Sequence, residues 1–142
     1  MVKTKRMDKL EYISGDLVMV KKSALQFAKD KIFKVISSLS GGFLKVVMLN
    51  DSSTTYSISN NAIRPIPLTP EILEKNGWKN DGYDWYRLPT KRAYLYITKD
   101  ITTLGEFLVC VGLDRHNLAS INFVHQLQHL LFGLGINSEM EV

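Results

Sequence analysis

His125 and His129 stand four residues apart in Val124-His125-Gln126-Leu127-Gln128-His129-Leu130, the spacing at which two imidazoles on one helix face can meet a single metal ion. A third ligand would have to come from Asp114, His116 or elsewhere. The residue after the first histidine is Gln126, so the glutamate of the zinc-protease helix is missing and no general base stands beside the pair. The pair is therefore read as metal-free and on the exposed side of its helix, His125 packed beside Phe132 and His129 solvated. Asp114-Arg115-His116 gathers an acid, a permanent cation and an imidazole at a strand end, where a binding or catalytic loop or an ordinary turn both fit. Cys110 lies in Phe107-Leu108-Val109-Cys110-Val111 and reads as a small buried hydrophobe rather than a reactive thiolate. Ser120 reads as a helix cap. The chain has no Gly-x-Ser-x-Gly segment, no Gly-x-x-x-x-Gly-Lys loop and no dinucleotide fingerprint, so nucleophilic catalysis and nucleotide-dependent catalysis lack their usual machinery. No catalytic residue, metal or cofactor is expected, and the chain is read as a binding protein, not an enzyme.

Binding asks for less. Lys91, Arg92, Tyr94 and Tyr96 could supply cations for phosphate and ring faces for a base or a protein side chain. In Arg92-Ala93-Tyr94-Leu95-Tyr96-Ile97 the alternation puts Ala93, Leu95 and Ile97 on a core face and Arg92, Tyr94 and Tyr96 on a partly wet one. With Arg115, His116, His125 and Gln128 these make the candidate ligand-binding set.

The elements that must position them follow from period and punctuation. Before residue 65 the apolar runs are short and β-branched: Leu17–Val20, Ile32–Ile36, Phe43–Leu49 and Thr54–Ile58, separated by Gly, Asn, Asp and Ser. This spacing predicts a small, strongly bent antiparallel sheet or barrel. Gly15-Asp16-Leu17-Val18 at its start and Ile63-Arg64-Pro65 at its close resemble an SH3-like small barrel. Pro65-Ile66-Pro67 is extended because each proline fixes its own φ and restrains its predecessor. Thr69-Pro70-Glu71 opens a helix over 70–76 that Gly77 ends, with Trp78 folding back over the last turn. Strands are predicted at Tyr83–Leu88, Arg92–Ile97 and Glu106–Val111. On a helical wheel over 121–134, Phe123, Val124, Leu127, Leu130, Leu131 and Leu134 form one apolar stripe, and Gly135 caps it. Gln128 falls among apolar neighbours and is expected to be buried and hydrogen-bonded, since an unsatisfied buried amide costs about 1–3 kcal/mol. The fold class is thus α+β: residues 1–65 a barrel-like β region with a basic start, 66–142 an α+β region packed against it as one unit.

The chain has 142 residues, 45% hydrophobic and 23% charged, which is ordinary globular composition and excludes extensive disorder. Its net charge of +4 is unevenly placed. Residues 1–34 carry nine basic and four acidic side chains and the remainder nine and ten, so the excess is a property of one end, suited to a phosphate or an acidic surface or simply to solubility. One cysteine and no long apolar run point to a reducing interior and no membrane.

Two segments carry a resemblance. Ile63-Arg64-Pro65-Ile66-Pro67-Leu68-Thr69-Pro70-Glu71-Ile72-Leu73-Glu74-Lys75-Asn76-Gly77-Trp78, followed later by Val124-His125-Gln126-Leu127-Gln128-His129-Leu130, resembles a group of small proteins of phages and mobile elements of gut Bacteroidales. There a proline-rich connector, a short helix and a late His-Gln-Leu-Gln helix recur in this order, with asparagine where this chain has His129. The resemblance implies a setting, not catalytic residues: a phage-borne protein in the bacterial cytoplasm or the virion that binds a host or phage protein, as a host-protein inhibitor or an assembly accessory. The alternative is a binder of nucleotide or nucleic acid, including sequestration of a host signalling nucleotide. Homo-oligomers fit either role.

Overall fold

Alternation of inward apolar and outward polar residues shapes the first half of the chain. In the computed structural model, which describes residues 12–20, 31–82, 85–91, 93–99, 106–112 and 114–142, Leu17–Val20 (β1), Ile32–Leu39 (β2), Phe43–Met48 (β3), Asp51–Ser59 (β4) and Ile63–Pro65 (β5) form one antiparallel sheet in the order β4-β3-β2-β1-β5. Val18, Val20, Phe33, Val35, Leu44, Val46, Ile58 and Ile63 make its core, with Tyr56 packed edge-on to Phe33 at 6.1 Å. Ile36 is the extra residue where the β2–β3 register slips, and it turns outward; a bulge of this kind bends and twists the sheet. A turn of 3-10 helix, Asn60–Ala62, precedes β5. The sheet is open, which corrects the barrel-like expectation: among the described residues no ladder joins β4 to β5. β5 is three residues long and ends in Pro65, which has no N–H to extend a ladder.

The chain divides into two compact units, Met1–Pro65 and Ile66–Val142. The second unit opens with helix α1, Pro70–Lys75, whose N-cap Thr69 accepts from the Ile72 N–H at 3.2 Å. A meander follows: Lys79–Asn80 (β6), Trp85–Pro89 (β7), Tyr94–Lys99 (β8), Phe107–Val111 (β9) and His116–Ile121 (β10), in the order β10-β9-β8-β7-β6. Helix α2, Val124–Gly133, completes the unit. The Gln126 side chain caps its start, Oε1 accepting from the N–H groups of Asn122 (2.7 Å) and Phe123 (3.0 Å).

Both helices end in the same way. Gly77 and Gly135 take left-handed backbone angles, φ +89° and +75°. The next residue, Trp78 or Ile136, donates back to the carbonyl of Leu73 (3.1 Å) or Leu131 (2.9 Å). This is the Schellman arrangement, which satisfies carbonyls that the helix itself leaves open.

Two expectations about α2 are corrected. It starts at Val124, so Ile121 and Ser120 belong to β10, and Ser120 is exposed in a strand rather than capping a helix. Its buried face is Val124, His125, Leu127, Gln128 and Leu131, while Leu130 is half-buried and Leu134 exposed. The covered stripe is thus turned toward the histidine and glutamine side. Gln128 is buried, its Nε2 donating to the Ser138 carbonyl at 3.2 Å.

Nothing lies within 4 Å of a Cβ built on Gly135, so strain alone should tell there. Gly135→Ala is expected to lower unfolding free energy by about 1 kcal/mol, read as a lower denaturant midpoint with an unchanged slope.

Candidate functional site

Register decides which side chains of the second sheet share a face. Arg87 lies opposite Tyr96 and Trp85 opposite Thr98, while Tyr96 lies opposite Cys110. Lys79 pairs with Arg87. Trp85, Arg87, Tyr94, Tyr96 and Lys79 therefore stand on one side, and Leu88, Leu95, Ile97, Val109 and Val111 on the other. On this second side Leu95, Ile97 and Val109 are buried, as strand alternation requires of a core face.

The first side is built around Arg115. This residue sits in the β9–β10 turn, its N–H donating to the Gly112 carbonyl at 3.0 Å. It holds φ +51°, the only positive value at a non-glycine among the described residues. From there its guanidinium lies 4.5 Å from the ring centroids of both Trp85 and Tyr96. Its Nη2 also reaches Asp81 Oδ2 at 3.4 Å. Arg87 approaches the other Asp81 oxygen at 3.7 Å and lies 4.8 Å over the ring of Tyr94. Trp85 meets Tyr96 edge-on at 6.2 Å, and Tyr94 is tilted against Tyr96 at 6.3 Å. Two guanidiniums, three rings and one carboxylate thus form a continuous layer over the sheet.

That layer changes the expected wetness of the face. Tyr96 is 5% exposed and Tyr94 40%, because Arg115 and Trp85 cover the former ring. Cys110 is buried beside Tyr96, and burial pushes its thiol up from the ordinary value against the smaller opposing effect of Arg115.

The predicted set separates into three places. Tyr94, Tyr96 and Arg115 come together in the layer just described. Lys91 is exposed and lines a pocket of about 930 Å³ with Leu95, Val111 and Ile136. His125 and Gln128 lie on the buried face of α2, and His116 is exposed at the start of β10. Arg92 falls outside the described residues, as do Lys3, Lys5, Arg6, Lys9, Lys21, Lys22 and Lys29 of the basic end. Trp85, Arg87 and Asp81 were not singled out from sequence. The alternation of Trp85-Tyr86-Arg87-Leu88 marks Trp85 and Arg87 as sharing a strand face, but joining them to Arg115 needs the meander.

His125 corrects another expectation. It is 2% exposed and lies between Phe123, stacked at 6.0 Å, and His129, edge-on at 5.4 Å. Phe132, its expected neighbour, is 69% exposed. Burial, and then the neighbouring His129, lower the His125 pKa to about 4. Among the described residues no three His, Cys, Asp or Glu side chains group as metal ligands, and no helix is long and apolar enough to cross a membrane. No family model matches this chain, and no curated protein matches it in sequence.

A histidine with a folded pKa near 4 and an ordinary value of 6.5 binds its proton more readily in the unfolded chain. Stability is therefore full above pH 6.5 and falls as pH drops toward about 4, by about 2 kcal/mol after allowing for solvent screening. Unfolding curves across this window are expected to show the slope in the wild type and a flatter profile in His125→Phe.

Proposed function

We propose that this chain is a non-enzymatic binding protein that holds an acidic protein surface on the arginine–aromatic side of its second sheet. The observation that carries this reading is the placement of Arg115 between Trp85 and Tyr96, with Arg87 over Tyr94 and one carboxylate, Asp81, shared between the two cations. Trp, Tyr and Arg dominate the energetically important positions of protein interfaces. Long side chains already held by stacking and ion pairing lose less freedom on association than mobile ones. Among the described residues of this side, Lys79, Arg87 and Arg115 outnumber the Asp81 carboxylate, so complementarity favours an acidic partner.

Nucleic acid is the second reading, favoured by the same cations. Single-stranded nucleic acid is held by bases stacking on open ring faces, and here Arg115 occupies faces of Trp85 and Tyr96. Only Tyr94 among the three is classed as exposed, so a protein partner is the better fit.

The strand order β4-β3-β2-β1-β5, with a 3-10 turn before the last strand, supports reading the first unit as SH3-like, though open. The resemblance to Bacteroidales phage proteins supports a host or phage protein as the partner, met in the host cytoplasm or the virion. His125 and Cys110 are buried, which takes both out of reach of a reactant in solution.

Affinity capture from infected and uninfected host cells tests the proposal. A partner retained by the wild type and lost from Arg115→Glu and Arg87→Glu is the expected result. An identical set of captured proteins for all three would overturn it. Tryptophan quenching by oligothymidylate that saturates at low salt and collapses at moderate salt, without a retained protein, would favour nucleic acid.

A further inference from the structure

We propose that a second site, on the core side of the same sheet, binds a small amphipathic anion of the aliphatic carboxylate type. This goes beyond the binding surface argued above and does not depend on it. The site is the pocket of about 930 Å³ between the end of the β7–β8 hairpin and the segment after α2, within the range of small-molecule sites, about 300–1,000 Å³.

Its walls are apolar for an identifiable reason. Leu95 and Val111 face each other in the β8–β9 ladder and form one wall with Ala93. The Schellman turn at Gly135 brings Leu134 and Ile136 to the other. Leu134 is 44% exposed, an apolar side chain left to water at the mouth that an alkyl chain would cover.

The polar groups specify the charge. Lys91 is the only charged residue among the described residues of the lining. The Thr90 hydroxyl is committed to the backbone of Ala93, from whose N–H it accepts and to whose carbonyl it donates. Asn137 Oδ1 accepts from the Glu139 N–H at 3.1 Å, so the amide presents its Nδ2 as a donor. An ammonium and an amide donor lining an apolar pocket, with no carboxylate among its described residues, suit a ligand with an alkyl body and an anionic head.

Isothermal titration with decanoate, below its micellar concentration, tests the site against decanol and decyltrimethylammonium. The wild type is expected to bind decanoate saturably and at least about fivefold more tightly than either comparison. Lys91→Glu is expected to lose that preference, whereas Lys45→Glu, the same charge change on an exposed residue of the first unit, is expected to keep it. Ala93→Phe, which fills the pocket, is expected to abolish binding. Absence of saturable decanoate binding, equal affinity for decanol, or wild-type binding by Ala93→Phe would each overturn the proposal. Should Ala93→Phe not fold, the contrast between Lys91→Glu and Lys45→Glu decides, since both residues are exposed.

Discussion

The packing of the Arg115 guanidinium between Trp85 and Tyr96 is the interaction on which the character of the second sheet depends. It starts from a backbone conformation that side chains other than glycine rarely adopt, at a cost of roughly 1–2 kcal/mol. Two ring faces within 4.5 Å of the cation, each contributing about 0.5–2 kcal/mol, offset that cost. The left-handed turn sends the chain into β10 while aiming the side chain back across β9 and β8. Without that direction Tyr96 would be a surface ring on a wet sheet face. With it the ring is buried, and the face becomes an ordered layer whose charged groups are fixed in place.

One sheet therefore separates two environments by the plain alternation of its strands. Leu95, Ile97 and Val109 are buried on one side, and a Cβ on Gly77 would stand 3.8 Å from Leu88, which places the end of α1 against that side. The unit is closed by short tethers between distant parts of its chain. Leu68 donates to the Asn122 carbonyl and Val124 to that of Ile66, both at 2.9 Å. The Asn76 amide pairs with both backbone groups of Glu141 at 2.8 Å. These bonds hold the entry to α2 and the C-terminal segment, which is why Ser138 stands where the buried Gln128 can reach its carbonyl. They also keep His125 enclosed, and enclosure is what makes its neutral form the stable one.

Local chemistry was legible where a single segment contains its own reason. Thr69-Pro70-Glu71 and Gly77 bound α1 at Pro70–Lys75, close to the 70–76 read from sequence, because cap, proline and glycine all act within one turn of their own position. The strand runs at Leu17–Val20 and Phe43–Met48 were legible for the same reason. β10 was not. His-Asn-Leu-Ala-Ser-Ile has neither alternation nor strong β propensity, and it is a strand because β9 pairs with it, across a bulge between Asn117 and Ala119. Phe123 and Leu134, counted into the apolar stripe, are the two caps of α2, and with the half-buried Leu130 they drew the stripe away from His125. The arginine–aromatic layer was half legible. Tyr94 and Tyr96 announce themselves by alternation, but Arg115 and Asp81 are 34 residues apart and meet only because the meander folds β6, β7 and β9 around β8.

Asp81 determines what such a layer is able to do. Its contacts to Arg115 and Arg87, 3.4 and 3.7 Å, join side chains that are partly open to solvent, and pairs of that kind contribute at most about 1 kcal/mol each to stability. Their effect is positional. A carboxylate shared between two guanidiniums holds both forks in register with the rings beneath while leaving most of their N–H groups uncommitted to it, since arginine carries five donors. The proposed acidic partner would bond those donors with Asp81 and the rings of Trp85 and Tyr96 left in place. On the proposed function, recognition would proceed on side chains already in their bound arrangement, and the ion pairs would matter for the freedom they remove beforehand more than for the stability they add.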